Sequence, residues 1–406
     1  MEFFSVQSVE SARRKIVERL DYLNQSEVVD TCSGLGRVLF CDVIAKENVP
    51  SFDKSTVDGY AVLAVDTYGA SESGSSLLKL VGSVTMGVAP TQNLRSGEAM
   101  YVPTGGMLPN GANAVVMIEH ADIFGESVAV LKSVHMHENT LNVGEDTAKG
   151  AVICKRGKKI TPMTVGTLAS QGIAKVEVFK QISAYIISTG NELVDIADDI
   201  KLGQIRDINS FLLSSLCEVS SIKVVGCKRV KDDFDLLRFE IEKATKVADI
   251  ILISGGSSVG EKDFTYKAIC SFGEDAFVKG VAIKPGKPTI VGSCCGKLVF
   301  GLPGHPMAAA VVYKMLVEQS INASRGISAT PKYLAETTCN FPSTAGRLTC
   351  QPVKCDYVDG KLTATALFGK SGQINLLDEA DGFVVIQENI EGINRGQTVE
   401  VFSFTN

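Results

Sequence analysis

Residues 249–263 read Asp-Ile-Ile-Leu-Ile-Ser-Gly-Gly-Ser-Ser-Val-Gly-Glu-Lys-Asp. Ile250 to Ile253 is a continuous apolar run rich in β-branched residues, which predicts a central parallel strand covered on both faces. Gly255 and Gly256 then let the backbone turn where a side chain would clash. The N–H groups of such a turn, leading into a helix, make a concavity of positive partial charge. It is worth about 0.3–1 kcal/mol for each nearby negative charge. Ser257 and Ser258 add hydroxyl donors, so Ser254 to Gly260 reads as the seat of an anionic ligand. Asp263 would repel a phosphate unless a cation lay between them, which points to Mg²⁺ or to proton transfer. The spacing matches neither the Walker pattern nor the dinucleotide fingerprint. An ordinary glycine-rich strand-to-helix turn is the plain alternative.

Outward from this stretch the chain alternates strand and helix signals: Ala184 to Ile187, Asp207 to Val219, Val224 to Val230 and Asp233 to Thr245. Such alternation predicts an α/β domain with a largely parallel sheet from Ser183 to about Ala323. Ligands of open α/β sheets bind outside the carboxyl ends of the strands. Ser188-Thr189-Gly190-Asn191-Glu192 should therefore converge with Ser254 to Ser258, with Glu192 and Asp263 partners around one cation. Ile283-Lys284-Pro285-Gly286-Lys287-Pro288 sets two ammonium groups on a stiffened chain, either an oxoanion receptor or an exposed basic turn. Gly301-Leu302-Pro303-Gly304-His305-Pro306 leads into a helix predicted over Met307 to Glu318 and gives the same rim another helix N-terminus, with His305 read as a helix-start residue.

The flanks are of other kinds. Val9, Ala12, Ile16 and Leu20 form a helical stripe over 8–24, with Ser8 as its cap. From Leu77 to Val130 short β-rich runs alternate with glycine and proline, and beyond Thr330-Pro331 short strands return, which predicts two small β domains. Thr161 to Gly172 reads as a capped helix with Pro162 at its first position.

At 406 residues the chain exceeds one ordinary core, and the length suggests about two to four domains. A net charge of −6 argues against a general nucleic-acid binder. Eleven scattered cysteines with no Cys-x-x-Cys pair read as reduced thiols. The four histidines have no zinc-site spacing, and His135 and His137 are expected on one face of a strand. No stretch approaches about 18 apolar residues, and no secretory pattern opens the chain, so a cytoplasmic protein that meets no membrane is expected.

Taken together, the loops resemble those of the molybdopterin molybdenumtransferase family, which includes the MoeA proteins and the gephyrin E domain. The resemblance rests on Ser51 to Val62, Thr104-Gly105 with Pro109 and Glu119, Gly144-Glu145-Asp146, Thr189-Gly190 with Glu192-Leu193, Ser254 to Asp263, Lys284 to Pro288 and Leu302 to Pro306. It implies a multidomain α/β plus all-β fold. A linking domain would span 1–46 and 140–180, and a β-rich domain 47–139. A MogA-like α/β domain with a mostly parallel sheet would span 181–327, and a C-terminal β-barrel-like domain 330–406.

It further implies a homodimer whose cleft lies between the α/β domain of one subunit and the β-rich domain of the other. There, adenylylated molybdopterin, molybdate and Mg²⁺ would react with release of AMP. By matching position, Asp58, Thr104, Asp146, Glu192, Asp232, Asp263 and Lys284 would be catalytic, and Glu192 and Asp263 would hold the metal. Gly190, Ser254, Gly255, Gly256, Ser257, Ser258, Gly260, Lys287, Pro303, Gly304 and Pro306 would bind the cofactor. Partners would include the molybdopterin adenylyltransferase and apo-molybdoenzymes. Departures from the family pattern gather at the oxoanion subsite: Leu141-Asn142-Val143 replaces an arginine-bearing lead into Gly144, and Ala308 replaces a serine. A non-catalytic molybdopterin-binding scaffold and a molybdopterin adenylyltransferase are the alternatives.

Overall fold

The computed structural model describes residues 6–255, 264–273, 276–327, 333–369 and 372–404. The chain forms two compact units, one of Met1–Val28, Gly36–Phe40 and Glu177–Asn406, the other of Val29–Leu35 and Cys41–Val176.

The first unit is built on a six-stranded sheet. Its strands are β1 (Ser183–Thr189), β2 (Lys223–Val230), β3 (Ile250–Ser254), β4 (Val278–Lys279), β5 (Ile290–Cys294) and β6 (Lys297–Leu302), in the order β2-β1-β3-β6-β5-β4. The first four in that order are mutually parallel; β5 and β4 complete the sheet antiparallel. Helices α1 (Asn209–Val219), α2 (Phe234–Thr245), α3 (Phe264–Cys270) and α4 (Pro306–Val312) follow β1, β2, β3 and β6.

Every residue of β3 is buried, as its unbroken apolar run requires of a strand covered twice. Its side chains alternate between two cores. Ile250 and Leu252 join Ala184, Ile186 and Phe300 against Leu213 of α1, Met307 of α4 and Ile16 of the N-terminal helix Val9–Val17. Ile251 and Ile253 join Tyr185 and Val299 against Leu237 and Ile241 of α2 and Ile269 of α3. Each such isoleucine contributes about 1.5–3 kcal/mol by leaving water.

Several expected boundaries move. The N-terminal helix carries the Ser8 cap, with Ser8 Oγ accepting from Ser11 N, but ends at Val17. The helix expected over 307–318 runs as α4, a π-helical stretch Tyr313–Glu318 and α5 (Gln319–Ser324).

The same unit ends in a closed barrel. Leu348–Val358 pairs with Lys361–Ala366 and with Gly382–Ile386; Thr398–Ser403 and Tyr333–Thr337 complete the ring. Val353, Ala364, Val384 and Val401 fill it. Closure removes the exposed edges an open sheet of short strands would present.

The second unit holds another six-stranded sheet, ordered Ala114–Met117, Gly59–Val62, Glu98–Val102, Ser76–Ser83, Ser127–Val130 and Ala121–Phe124. Its core includes Tyr60, Val62, Ala99, Val116 and Val128. Helix Pro162–Ser170 starts with Thr161 Oγ1 accepting from Thr164 N. His135 and His137 do not lie on a strand: His137 has φ +66° in a turn held by its own N–H to Asn113 O.

Candidate functional site

The parallel strands end in register, with Ser188, Ser254 and Leu302 side by side. The chain leaves β1 for β2 on one side and returns to β3 on the other, so the carboxyl ends of β1 and β3 flank the point where strand order reverses. A crevice at such a point is where open α/β sheets take ligands.

Four loops meet there. Gly255 follows β3 with φ +97°, and a Cβ on it would stand 2.1 Å from Thr189 O. Only glycine fits so close to the β1 loop. Gly304, after β6, approaches from the other side: a Cβ there would lie 3.8 Å from Gly255 Cα. Thr189 Oγ1 donates to Asp232 Oδ1 at 2.8 Å, tying the β1 and β2 loops, and Asp232 N donates to Asn191 Oδ1 at 3.3 Å. Glu192 is exposed on the β1 loop and folds back over Gly190, whose added Cβ would meet Glu192 Oε1 at 2.9 Å. Pro303 is buried and Pro306 opens α4, with His305 at the helix cap position.

Beneath the rim lie two residues that enter the sequence analysis only as the start of the helix signal Asp207 to Val219. Asp207, 5% exposed, accepts from Ser188 Oγ at 2.8 Å and from Ser210 Oγ at 2.5 Å and Ser210 N at 3.1 Å. Asn209 Nδ2 donates to Ser254 Oγ and to Gly304 O, both at 2.7 Å. The signal was present as Asp207-Ile208-Asn209-Ser210 ahead of an apolar helix, but capping explains that pattern without a site.

Lys284 and Lys287 are both exposed. Lys284 ends the short strand Ile283–Lys284, which pairs with the barrel strand at Thr349, while Lys287 O accepts from Val281 N and Thr289 N. The loop between them is therefore anchored at both ends. Gly256, Ser257, Ser258, Gly260 and Asp263 lie outside the described residues. Among the described residues, no group of three or more His, Cys, Asp or Glu could hold a metal ion.

A second constellation forms in the other unit. Asp58 Oδ1 accepts from Thr104 N at 2.8 Å. Nearby sequence segments are knit to the same turn: Asp53 Oδ1 accepts from Val143 N at 2.8 Å, Gly144 N donates to Pro50 O at 3.0 Å, and Asp146 N donates to Val49 O at 3.1 Å. Gly59 is obligatory beside Asp58, since a Cβ there would lie 2.0 Å from Val116 O. Glu145 is held below the usual carboxylate range by hydrogen bonds from Asn142 N and Nδ2. Asp58, Thr104 and Asp146 all stay exposed, carboxylates and a hydroxyl on a rigid frame.

Both frames match known proteins. Residues 7–172 match the MoeA N-terminal region (domain I and II), 185–323 a probable molybdopterin binding domain, and 335–404 the MoeA C-terminal region (domain IV). The chain is 31% identical to a molybdopterin molybdenumtransferase of Haemophilus influenzae, with 98% of each chain covered. It is 36% identical to a protein of Methanocaldococcus jannaschii provisionally named for molybdopterin biosynthesis, with 97% of each covered. A crystal structure of a molybdopterin biosynthesis MoeA protein from Pyrococcus horikoshii superimposes with a TM-score of 0.85 at 29% identity, covering 97% of this chain and 99% of that one. With three family models in order along the chain and full-length relatives above 30% identity, the chain belongs to the MoeA family of molybdenum cofactor biosynthesis proteins.

Proposed function

We propose that this protein is a molybdopterin molybdenumtransferase that takes adenylylated molybdopterin and molybdate and releases AMP. The observation that carries the reading is the meeting of the Gly190, Asp232, Gly255 and Gly304 loops over the strand-order reversal. Backbone N–H groups at such strand ends suit phosphate oxygens, and donors fixed in advance are worth more than donors that must be ordered. Lys284 and Lys287 would receive the molybdate dianion, and the anchored loop keeps their separation from changing with each turnover. Asp58, Thr104 and Asp146 would complete the site from the β-rich part of a second copy, in a homodimer.

Mg²⁺ takes one or two carboxylates, keeps several waters and shares phosphate oxygens. The exposed Glu192 carboxylate at the rim fits that donor set, and Asp263 would join it; the ion would supply charge neutralisation for the scissile pyrophosphate. Asp232 has its carboxylate oriented by Thr189 and would position a proton acceptor beside the β1 loop. The division into 1–46 with 140–180, 47–139, 181–327 and 330–406 is part of the same proposal, as are a cytoplasmic location and dealings with an adenylyltransferase and apo-molybdoenzymes.

The test is direct. Purified protein mixed with adenylylated molybdopterin, molybdate and Mg²⁺ should release AMP and form metal-loaded pterin. Tight pterin binding with AMP release no faster than the protein-free control would overturn the enzyme reading in favour of a scaffold. ATP consumption with unmodified molybdopterin would make it an adenylyltransferase.

A further inference from the structure

We propose that Asn209 is a positioning residue that sets the width of the ligand crevice, by clamping the β6 loop to the end of β3; this rests on the reading of that crevice as the molybdopterin site. Asn209 is 8% exposed at the start of α1. Its two amide hydrogens are both committed, one to Ser254 Oγ and one to Gly304 O, each at 2.7 Å. A neutral amide can make that pair of donations at once, and a carboxylate or an aliphatic side chain cannot.

Two further observations make this more than a buried asparagine satisfied by its neighbours. Asn209 Oδ1 is buried with no hydrogen-bond partner among the described residues. A side chain kept only to satisfy itself would not sit where half of its polar capacity is idle. Its position is also dictated independently. Asp207 holds Ser188 of β1 and both Ser210 N and Ser210 Oγ. The first turn of α1 is thereby bolted to the strand end before Asn209 reaches across to the two loops. The short backbone run from Asp207 to Ser210 thus joins two sets of hydrogen bonds, Asp207 to β1 and Asn209 to Ser254 of β3 and to the β6 loop. Gly304 lies close to Gly255, so a shift of the Gly304 carbonyl changes the mouth of the crevice itself.

Asn209→Asp and Asn209→Ala separate this role from mere packing. In Asn209→Asp the Ser254 hydroxyl can still donate to the carboxylate, but the Gly304 carbonyl faces a second acceptor and a charge is buried near Asp207; Asn209→Ala removes the same donor without that charge. Two quantities are read besides the thermal midpoint: the Kd for molybdopterin by calorimetry, and the split of KM against kcat for AMP release. Both variants should weaken pterin binding about tenfold, the scale of one lost net hydrogen bond, with KM rising and kcat falling less. Kd and KM within about twofold of the unsubstituted protein in the variant that folds would overturn the proposal. So would a loss of kcat that follows the folded fraction with KM unchanged. If Asn209→Asp does not fold, Asn209→Ala, which buries no charge, decides. Should the unsubstituted protein bind pterin and release no AMP, the functional reading falls while the Kd comparison still decides the clamp.

Discussion

Two residues carry chemistry that their neighbours make compulsory. At Gly255 any side chain would meet Thr189 O and hold φ +97° against its preference. Gly255→Ala should therefore cost about 2 kcal/mol or more, and because relieving the contact with Thr189 O parts the β1 and β3 loops, pterin affinity should fall with the thermal midpoint. A calorimetric titration beside a melting curve checks this; an unchanged midpoint would show that the loops part freely. Asp58 poses the opposite question, since its oxygen both caps Thr104 N and sits exposed. The Asp58→Asn variant keeps an oxygen acceptor for that N–H and deletes the charge. If the carboxylate acts on a proton or an ion during turnover, kcat should fall about 10²-fold or more with the midpoint held. Retained turnover would reduce Asp58 to a turn residue.

Elements were legible where local chemistry and tertiary demand agree. Ile250 to Ile253, rich in β-branched residues and followed by glycines, suited a doubly covered strand, and its two faces do enter two cores. Thr161-Pro162 and Ser8 announced helix starts that the side chains then make. Asn209 and Asp207 were hidden for the complementary reason: polar residues at or just before a helix start satisfy capping rules whether or not their side chains reach another loop. The turn at His137 misled because an alternating pair implies one face only when the backbone is extended.

The amino end of the sheet, opposite the rim, is fixed by long-range contacts that no local pattern encodes. Tyr22 OH donates to Asp249 O at 2.9 Å and accepts from Leu298 N at 3.2 Å, pinning the starts of β3 and β6 together. Burial, with a smaller contribution from Asp249, pushes the Tyr22 hydroxyl up to about 12, from 10.0. The folded state thus prefers the neutral phenol. Its contribution is whole below about pH 10 and is lost as pH climbs toward 12, because the unfolded chain ionises first. Tyr22→Phe should lower stability by about 1–2 kcal/mol near neutral pH and flatten the alkaline limb of the melting-temperature profile; parallel profiles for the two proteins would refute the assignment.

At the scale of the whole molecule, the carboxylates divide between the two units: Glu192 and Asp232 in one, Asp58 and Asp146 in the other. The polypeptide passes between the units after Val28, after Leu35, after Phe40 and after Val176, so neither unit is a single run of chain that can be cut away and assayed. Whether a working site draws on one copy or two must be asked of intact proteins. The proposed homodimer makes a definite forecast. Asp58→Ala and Glu192→Ala proteins should each be nearly inactive alone. When the two are unfolded together and refolded as an equal mixture, half of the dimers carry one subunit of each kind. If sites draw Asp58 from one subunit and Glu192 from the other, a mixed dimer has one site with both residues substituted and one with both intact. AMP release should then recover to about a quarter of the unsubstituted rate, as random pairing of a two-fold symmetric assembly requires. If each site were complete within one subunit, every site in the mixture would lack one of the two residues and no activity would return. The recovered fraction therefore reads the ownership of the site directly, and a light-scattering mass of one chain would remove the premise.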